Sequence, residues 1–245
     1  LHDALPIYLM VVPQDTAQKA EALLTNGNPS TFYFTRDIAT EVKQADGIEQ
    51  ASEQTYISSL AAACCDEKLQ IIGYDPSTDF VIEPWVASQF KGTLEDGKMI
   101  AGANVNVSTD GTIELYGRKW PVVAQLANTG TSLDNSVFIN QATVPDMVAA
   151  SSKVSKQVMP MEYAGKAVST VMIKVKQGYE AQTVAENIKR IDSRFADLGY
   201  VYPGGITANT KTSLTALVTY LKVFVAVIWV MGVIVLLAVF ASSAN

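Results

Sequence analysis

The residues best suited to chemistry in this 245-residue chain are few, and each is met alone or in a pair. Cys64 and Cys65 are adjacent. Two thiols without further soft ligands cannot build a tetrahedral zinc site. The pair stands as two reduced thiols, a strained vicinal disulfide, or a partner for another chain, and no C-x-x-C spacing gives it a redox-catalytic pattern. The one histidine is His2, so no Ser–His or Cys–His nucleophile and no His-based metal site can be assembled. Asp75 and Asp79 bracket the stretch DPSTD, but no EF-hand spacing follows, and Asp-Pro with Ser and Thr reads as turn chemistry. Asn106-Val107-Ser108 is a glycosylation acceptor by pattern alone. Neither G-x-x-x-x-G-K-[ST] nor G-x-G-x-x-G occurs, so no nucleotide cradle is visible, and Gly204-Gly205 reads as a turn. No catalytic, cofactor-binding or metal-binding residue is therefore assigned, and the chain is read as no enzyme and as carrying no cofactor.

The bulk composition points the same way. The formal net charge is −6, with no cluster of Lys and Arg, which argues against nucleic acid as a partner. Hydrophobic residues make up 49% and charged residues 17%, and one segment accounts for part of that imbalance. From Val223 to Asn245 there is no charged residue or histidine. As a helix this run would reach roughly 34 Å, enough to cross a hydrocarbon core of about 30 Å. It is expected to be a transmembrane helix. Thr212, Thr215, Thr219 and Lys222 offer a polar face and Leu214, Leu217 and Leu221 another, so the helix is expected to continue outward as a stalk. The opening residues 1–7, LHDALPI, fit neither a leader nor the strand that follows. They are expected to be non-native.

The elements between these ends fall into two textures. YLMVV is an apolar strand, followed by a helix from Pro13 with Ala17, Ala20, Leu23 and Leu24 on one face. NGNP at Asn26–Pro29 is a turn. A helix is expected over Arg36–Ala45 with Gly47 as its C-terminal cap, then strands at IEQASEQTYISSL and KLQIIGYD. Between about Asp79 and Gly165 short β-like runs dominate (MIAGANV, TIELYG, WPVVAQLA, SVFI), with one short helix at Val144–Ala150. AVSTVMIKVK resumes the first texture. Val184, Ile188, Ile191, Phe195 and Leu198 then recur at helical spacing, and YVYPGGITA is expected to be a strand. The fold class expected is α+β. Residues 8–80 and 166–208 would form one discontinuous, βαβ-rich subdomain, 81–165 an inserted β-rich subdomain, and 209–245 the stalk and transmembrane helix.

Taken in order, LQIIGYDPSTDFVIEPWV, MIAGANVNV and GTIELYGRKWPVVAQLANTGTSLDNSVFIN resemble the extracytoplasmic domain of FtsX-like ABC-transporter permeases, named after the MacB periplasmic core. The matching features are the IGYDP turn at Ile72–Pro76, Pro84-Trp85, Gly102 after a strand, and Thr129–Phe138. YLMVVPQ at Tyr8–Gln14 is similar to the way such domains begin after a first membrane helix, and the final SSAN is similar to family members just before a cytoplasmic motif. The resemblance spans about residues 8–245. It implies a porter-like subdomain interrupted by the β-rich insertion and lying outside a bacterial cell membrane. It also implies a separate ABC ATPase subunit and a second permease subunit as partners, alongside membrane lipid. Its implied job is to carry nucleotide-driven motion through membrane helices to the outside domain. The competing expectation is a membrane-anchored extracytoplasmic binding or sensor domain without transport.

Overall fold

The computed structural model describes residues 8–59, 65–154 and 157–202, together with Lys222 and Phe224. The chain divides into two compact units, Leu1–Pro203 and Gly204–Asn245. In the second unit the two described residues are helical and exposed. Among the described residues no helix is long and apolar enough to cross a membrane. The expected stalk and membrane helix, 209–245, otherwise lies outside them, as does the 1–7 leader.

The first unit is mixed α+β, with five α-helices and a large mixed sheet among the described residues. In chain order the elements begin with β1 (Tyr8–Val12), α1 (Ala17–Asn26), β2 (Phe34–Thr35), α2 (Arg36–Val42), β3 (Ile48–Ser58) and β4 (Gln70–Tyr74). The middle of the unit holds α3 (Glu83–Gln89), β5 (Met99–Ala101), β6 (Thr112–Leu115), β7 (Arg118–Gln125), β8 (Ser136–Asn140) and α4 (Val144–Ser151). It closes with β9 (Ala167–Val168), β10 (Thr170–Val175), α5 (Ala181–Ile191) and β11 (Gly199–Val201).

Nine strands make one sheet in the order β11-β1-β10-β3-β4-β8-β5-β7-β6, and β2 pairs with β9 separately. Pairings in the first four strands are all antiparallel. Hence β1 runs parallel to β3 across β10, and β10 parallel to β11 across β1. Two βαβ units are thus interleaved, the split βαββαβ arrangement. Everything from β4 to β9 is inserted between its second and third strands. The sheet continues through the insertion because β4 forms an antiparallel pair with β3 and a parallel one with β8.

Separate apolar clusters of described residues pack on this sheet. One joins Leu9 and Val11 of β1, Val171 and Ile173 of β10, Val42 of α2, and Val184 and Ile188 of α5. Another joins Ile57, Ile71, Met99, Leu115, Trp120, Val137 and the α4 residues Val144, Met147 and Val148. Strand burial on both faces explains why YLMVV and QIIGY read as continuous apolar runs rather than alternating ones. The β6–β7 hairpin closes through Tyr116 and Gly117, both at positive φ (56° and 67°), the two-residue turn whose twist suits antiparallel strands.

Three local expectations need correction. Helix α2 ends at Val42, with Lys43 as its C-cap, so Gly47 (φ 91°) sits in the loop beyond it. Helix α5 ends at Ile191 because Asp192 turns extended and accepts the Arg194 N–H at 2.8 Å, starting a 3₁₀ turn over Ser193–Asp197. The buried stripe of α5 is Ala181, Val184, Ala185 and Ile188; Ile191 is 40% exposed, and Phe195 reaches the core from the 3₁₀ turn. Finally, α3 stands where the texture suggested strands and loops. Its start is fixed by a carboxylate three to four residues upstream.

Candidate functional site

That carboxylate is Asp79. Its Oδ1 accepts the backbone N–H groups of Val81 and Ile82, just before α3, and of Glu83, the first residue of the helix, whose N–H has no partner inside it. Its Oδ2 accepts Gln54 Nε2 of β3 at 2.7 Å, and Ser52 Oγ lies at 3.5 Å. Gln54 Oε1 in turn accepts the Tyr56 hydroxyl at 2.8 Å, and burial pushes that phenol far above its ordinary range. Asp79 is 8% exposed. It therefore caps α3 and ties the helix to the split βαββαβ frame. Its neighbour Asp75 accepts the N–H and hydroxyl of Ser77, a local turn bond. The two carboxylates of DPSTD thus face different partners and form no shared acid–base pair.

The features that carried the sequence resemblance are packing devices of the insertion. Tyr74 donates its hydroxyl to Glu83 at 3.0 Å, and burial, with the Glu83 charge beside it, raises that phenol too. Trp85 of α3 meets Phe138 of β8 edge-on, with centroids 5.5 Å apart at 87°. Gly102 donates its N–H to the Ser136 carbonyl, and a Cβ there would lie 2.5 Å from the Leu133 carbonyl oxygen and 2.6 Å from that of Asp134. The Asp134 carboxylate accepts the N–H groups of Thr129 and Gly130 and the Thr129 hydroxyl. Burial pushes its pKa upward, but the hydrogen bonds from Thr129, Gly130 and Thr131 prevail and hold it below the usual carboxylate range.

No nucleophile–base pair emerges among the described residues, and no group of three or more His, Cys, Asp and Glu there could hold a metal ion. His2 and Cys64 lie outside them. Cys65 is half-buried, and its Sγ accepts the Tyr116 N–H at 3.3 Å. Two adjacent cysteines close almost no loop, so a disulfide between them would remove little unfolded-state entropy. A Cys64→Ser/Cys65→Ser double variant is expected to lose less than about 2 kcal/mol, the low end of a native disulfide's contribution. Chemical denaturation of the two proteins side by side checks this; a larger loss would reveal a structural bond.

The geometry of greatest functional interest is where the chain joins the domain. Strand β1 begins at Tyr8, and β11 ends at Val201, directly opposite Met10. The two strands are antiparallel neighbours, so both connections leave the same end of the sheet. Tyr8 stacks on Phe80 at 5.8 Å, and Lys174, opposite Tyr8, is paired with Glu49 at 2.6 Å. At the other end of β11, Gly199 lies so close to β1 that a Cβ would approach Val12 Cγ2 to 2.6 Å.

No family model matches the sequence, and no curated protein matches it either. Solved structures do. The chain is similar to the periplasmic region of MacB from Actinobacillus actinomycetemcomitans, with 9% identity, 84% of this chain and 92% of that one covered, and a TM-score of 0.46. It is also similar to the extracellular domain of the noncanonic ABC-type transporter YknZ from Gram-positive bacteria. There the identity is 12%, the coverage 81% and 99%, and the TM-score 0.40.

Proposed function

We propose that this chain is the extracytoplasmic domain and adjoining membrane helix of an ABC-transporter permease subunit in a bacterial cell membrane. It couples ATP hydrolysis by a separate ATPase subunit to conformational change outside the membrane, for export, extraction or signalling. A second permease subunit and membrane lipid complete the assembly. The observation that carries this reading is the placement of Tyr8 and Val201 at one end of adjacent strands. Motion entering through the segment after β11 acts directly on β1, and through β1 on β10, β3 and the inserted lobe. Rigid elements moving as units are a recognised mode of switching. In the same scheme the split βαββαβ frame receives motion and the insertion, β4 to β9, displays it. In this reading the polar networks at Asp79 and Asp134 are framework, and the chain performs no catalysis of its own.

The test is to break the stalk. Val218→Pro removes a helical hydrogen bond at a cost of about 3 kcal/mol or more. In the complete assembly it is expected to leave expression and the outside domain intact while ATPase activity no longer drives the extracytoplasmic change. A Pro variant with wild-type coupling would make the segment a simple anchor and favour a membrane-anchored sensor. Failure of the native protein to copurify with any ABC ATPase would remove the permease reading itself.

A further inference from the structure

A cavity of about 440 Å³ opens where the chain returns from the inserted lobe, between the start of α2 and a 3₁₀ turn at Met161–Tyr163. Thr35, Arg36, Asp37, Glu162, Tyr163 and Lys166 line it. Its volume falls within the roughly 300–1,000 Å³ of small-molecule sites. Its walls are tied together. Arg36 N–H donates to the Lys166 carbonyl at 2.8 Å, and Lys166 N–H donates to the Tyr163 carbonyl at 2.8 Å. Arg36 Nη1 donates to the Gly165 carbonyl at 3.1 Å. The Tyr163 ring is held against Tyr33 with centroids 5.4 Å apart. A site whose backbone is fixed on both sides loses little entropy when a ligand enters.

The charges on the wall are of both signs, and two of the four, Glu162 and Lys166, have no ion-pair partner among the described residues. Arg36 is engaged by Glu53 at 2.9 Å. Lys166 and Glu162 are exposed. On the opposite wall, the Thr35 hydroxyl beside Asp37 holds its carboxyl below the ordinary range. A simple anion entering here meets two carboxylates, and a simple cation meets Lys166 and Arg36. A molecule carrying both charges finds an opposite charge for each of its ends, and an apolar group on it can cover the Tyr163 ring. We propose that this cavity binds a small zwitterion of the amino-acid or dipeptide class. Its carboxylate sits on Lys166, its ammonium between Glu162 and Asp37, and its side chain over Tyr163.

This site requires neither an ATPase nor a membrane, so it stands or falls apart from the permease reading. The experiment is calorimetric titration of the full chain in detergent with the dipeptide Ala-Phe, its N-acetyl form and its C-terminal amide. Free Ala-Phe is expected to bind with a Kd of about 1 mM or tighter, corresponding to about −4 kcal/mol. Capping either end is expected to weaken binding about tenfold or more. Lys166→Gln should weaken the free dipeptide but not the amide, and Glu162→Gln should weaken the free dipeptide but not the N-acetyl form. Both side chains are exposed, so neither variant endangers folding. Absence of heat with Ala-Phe, equal binding of free and capped peptides, or indifference to both substitutions would each overturn the proposal.

Discussion

Gly102→Ala is expected to destabilise the first unit by about 3 kcal/mol or more, the upper end of the cost of overpacking a close-packed interior. The added Cβ would fall 2.5 Å from the Leu133 oxygen and 2.6 Å from the Asp134 oxygen, and both are backbone atoms that cannot swing aside. The same segment is tethered by Gly102 N–H to the Ser136 carbonyl and by Asn104 N–H to the Asp134 carbonyl. Relief would therefore have to break the bonds that align β5 with β8. A melting temperature lower by at least about 6 °C is the expected reading for a domain of this size. Gly130→Ala supplies the control, because Gly130 has φ 71° but nothing within 4 Å of its Cβ position. There only the left-handed backbone is penalised, at about 1–2 kcal/mol. If Gly102→Ala melts with the wild type, the Leu133–Asp134 backbone yields freely and the close approach has no structural weight.

The second large effect concerns Asp134, which is 1% exposed and holds the Thr129–Gly130 loop through its carboxylate. Asp134→Ala removes the buried carboxylate that the exposed Thr129 and Gly130 N–H groups and the Thr129 hydroxyl donate to, with a loss of about 1.5–3 kcal/mol expected, the range for hydrogen bonds to a charged group. The pH dependence has a definite sign. The folded carboxyl titrates below its unfolded value, so the unfolded state binds the extra proton first as pH falls. Its stabilisation is fully present above the unfolded pKa of about 3.9 and is lost as pH drops through the lower folded value. The gap in stability between wild type and Asp134→Asn should accordingly be constant from pH 7 to about 5 and narrow below about 4. Denaturation curves across that range check it. A gap that widened on acidification would mean that the carboxylate is not the form the loop binds.

Much of the secondary structure could be read from periodicity, because the signal sits in contiguous residues. β1, β3, β4, β8 and α4 lie where apolar runs and turn residues place them. Helix α3 escaped that reading. EPWVASQ is only two turns long and carries Pro84, and its start depends on Asp79 turning back to three N–H groups. The aspartate before Pro84 was a legible helix-start signal, but DPSTD also matches a plain turn. Extending α5 to Leu198 failed for a related reason. Phe195 is buried as the stripe requires, yet it arrives through a 3₁₀ turn begun by Asp192, and spacing alone does not distinguish the two paths.

By itself the sequence determined the chemistry that is missing from its pattern: one histidine at position 2, no phosphate-cradling glycine motif, and an uncharged run from Val223 to Asn245. It also determined the local elements, since hydrophobic period and turn residues act over a few positions. Only the tertiary structure decided how distant segments combine. Pairing of β1 with β10 and β11 sets Tyr8 opposite Lys174 and Met10 opposite Val201, across more than 160 residues of chain. It made Asp79 a helix cap rather than half of an acid pair, and it put Gly102 against the Leu133 and Asp134 carbonyls. It likewise brought Asp37 to one cavity with Glu162 and Lys166. The reason is that strand register and close packing are set by contacts between residues far apart in sequence. The local pattern fixes which face of a strand is apolar but not which partner will cover it.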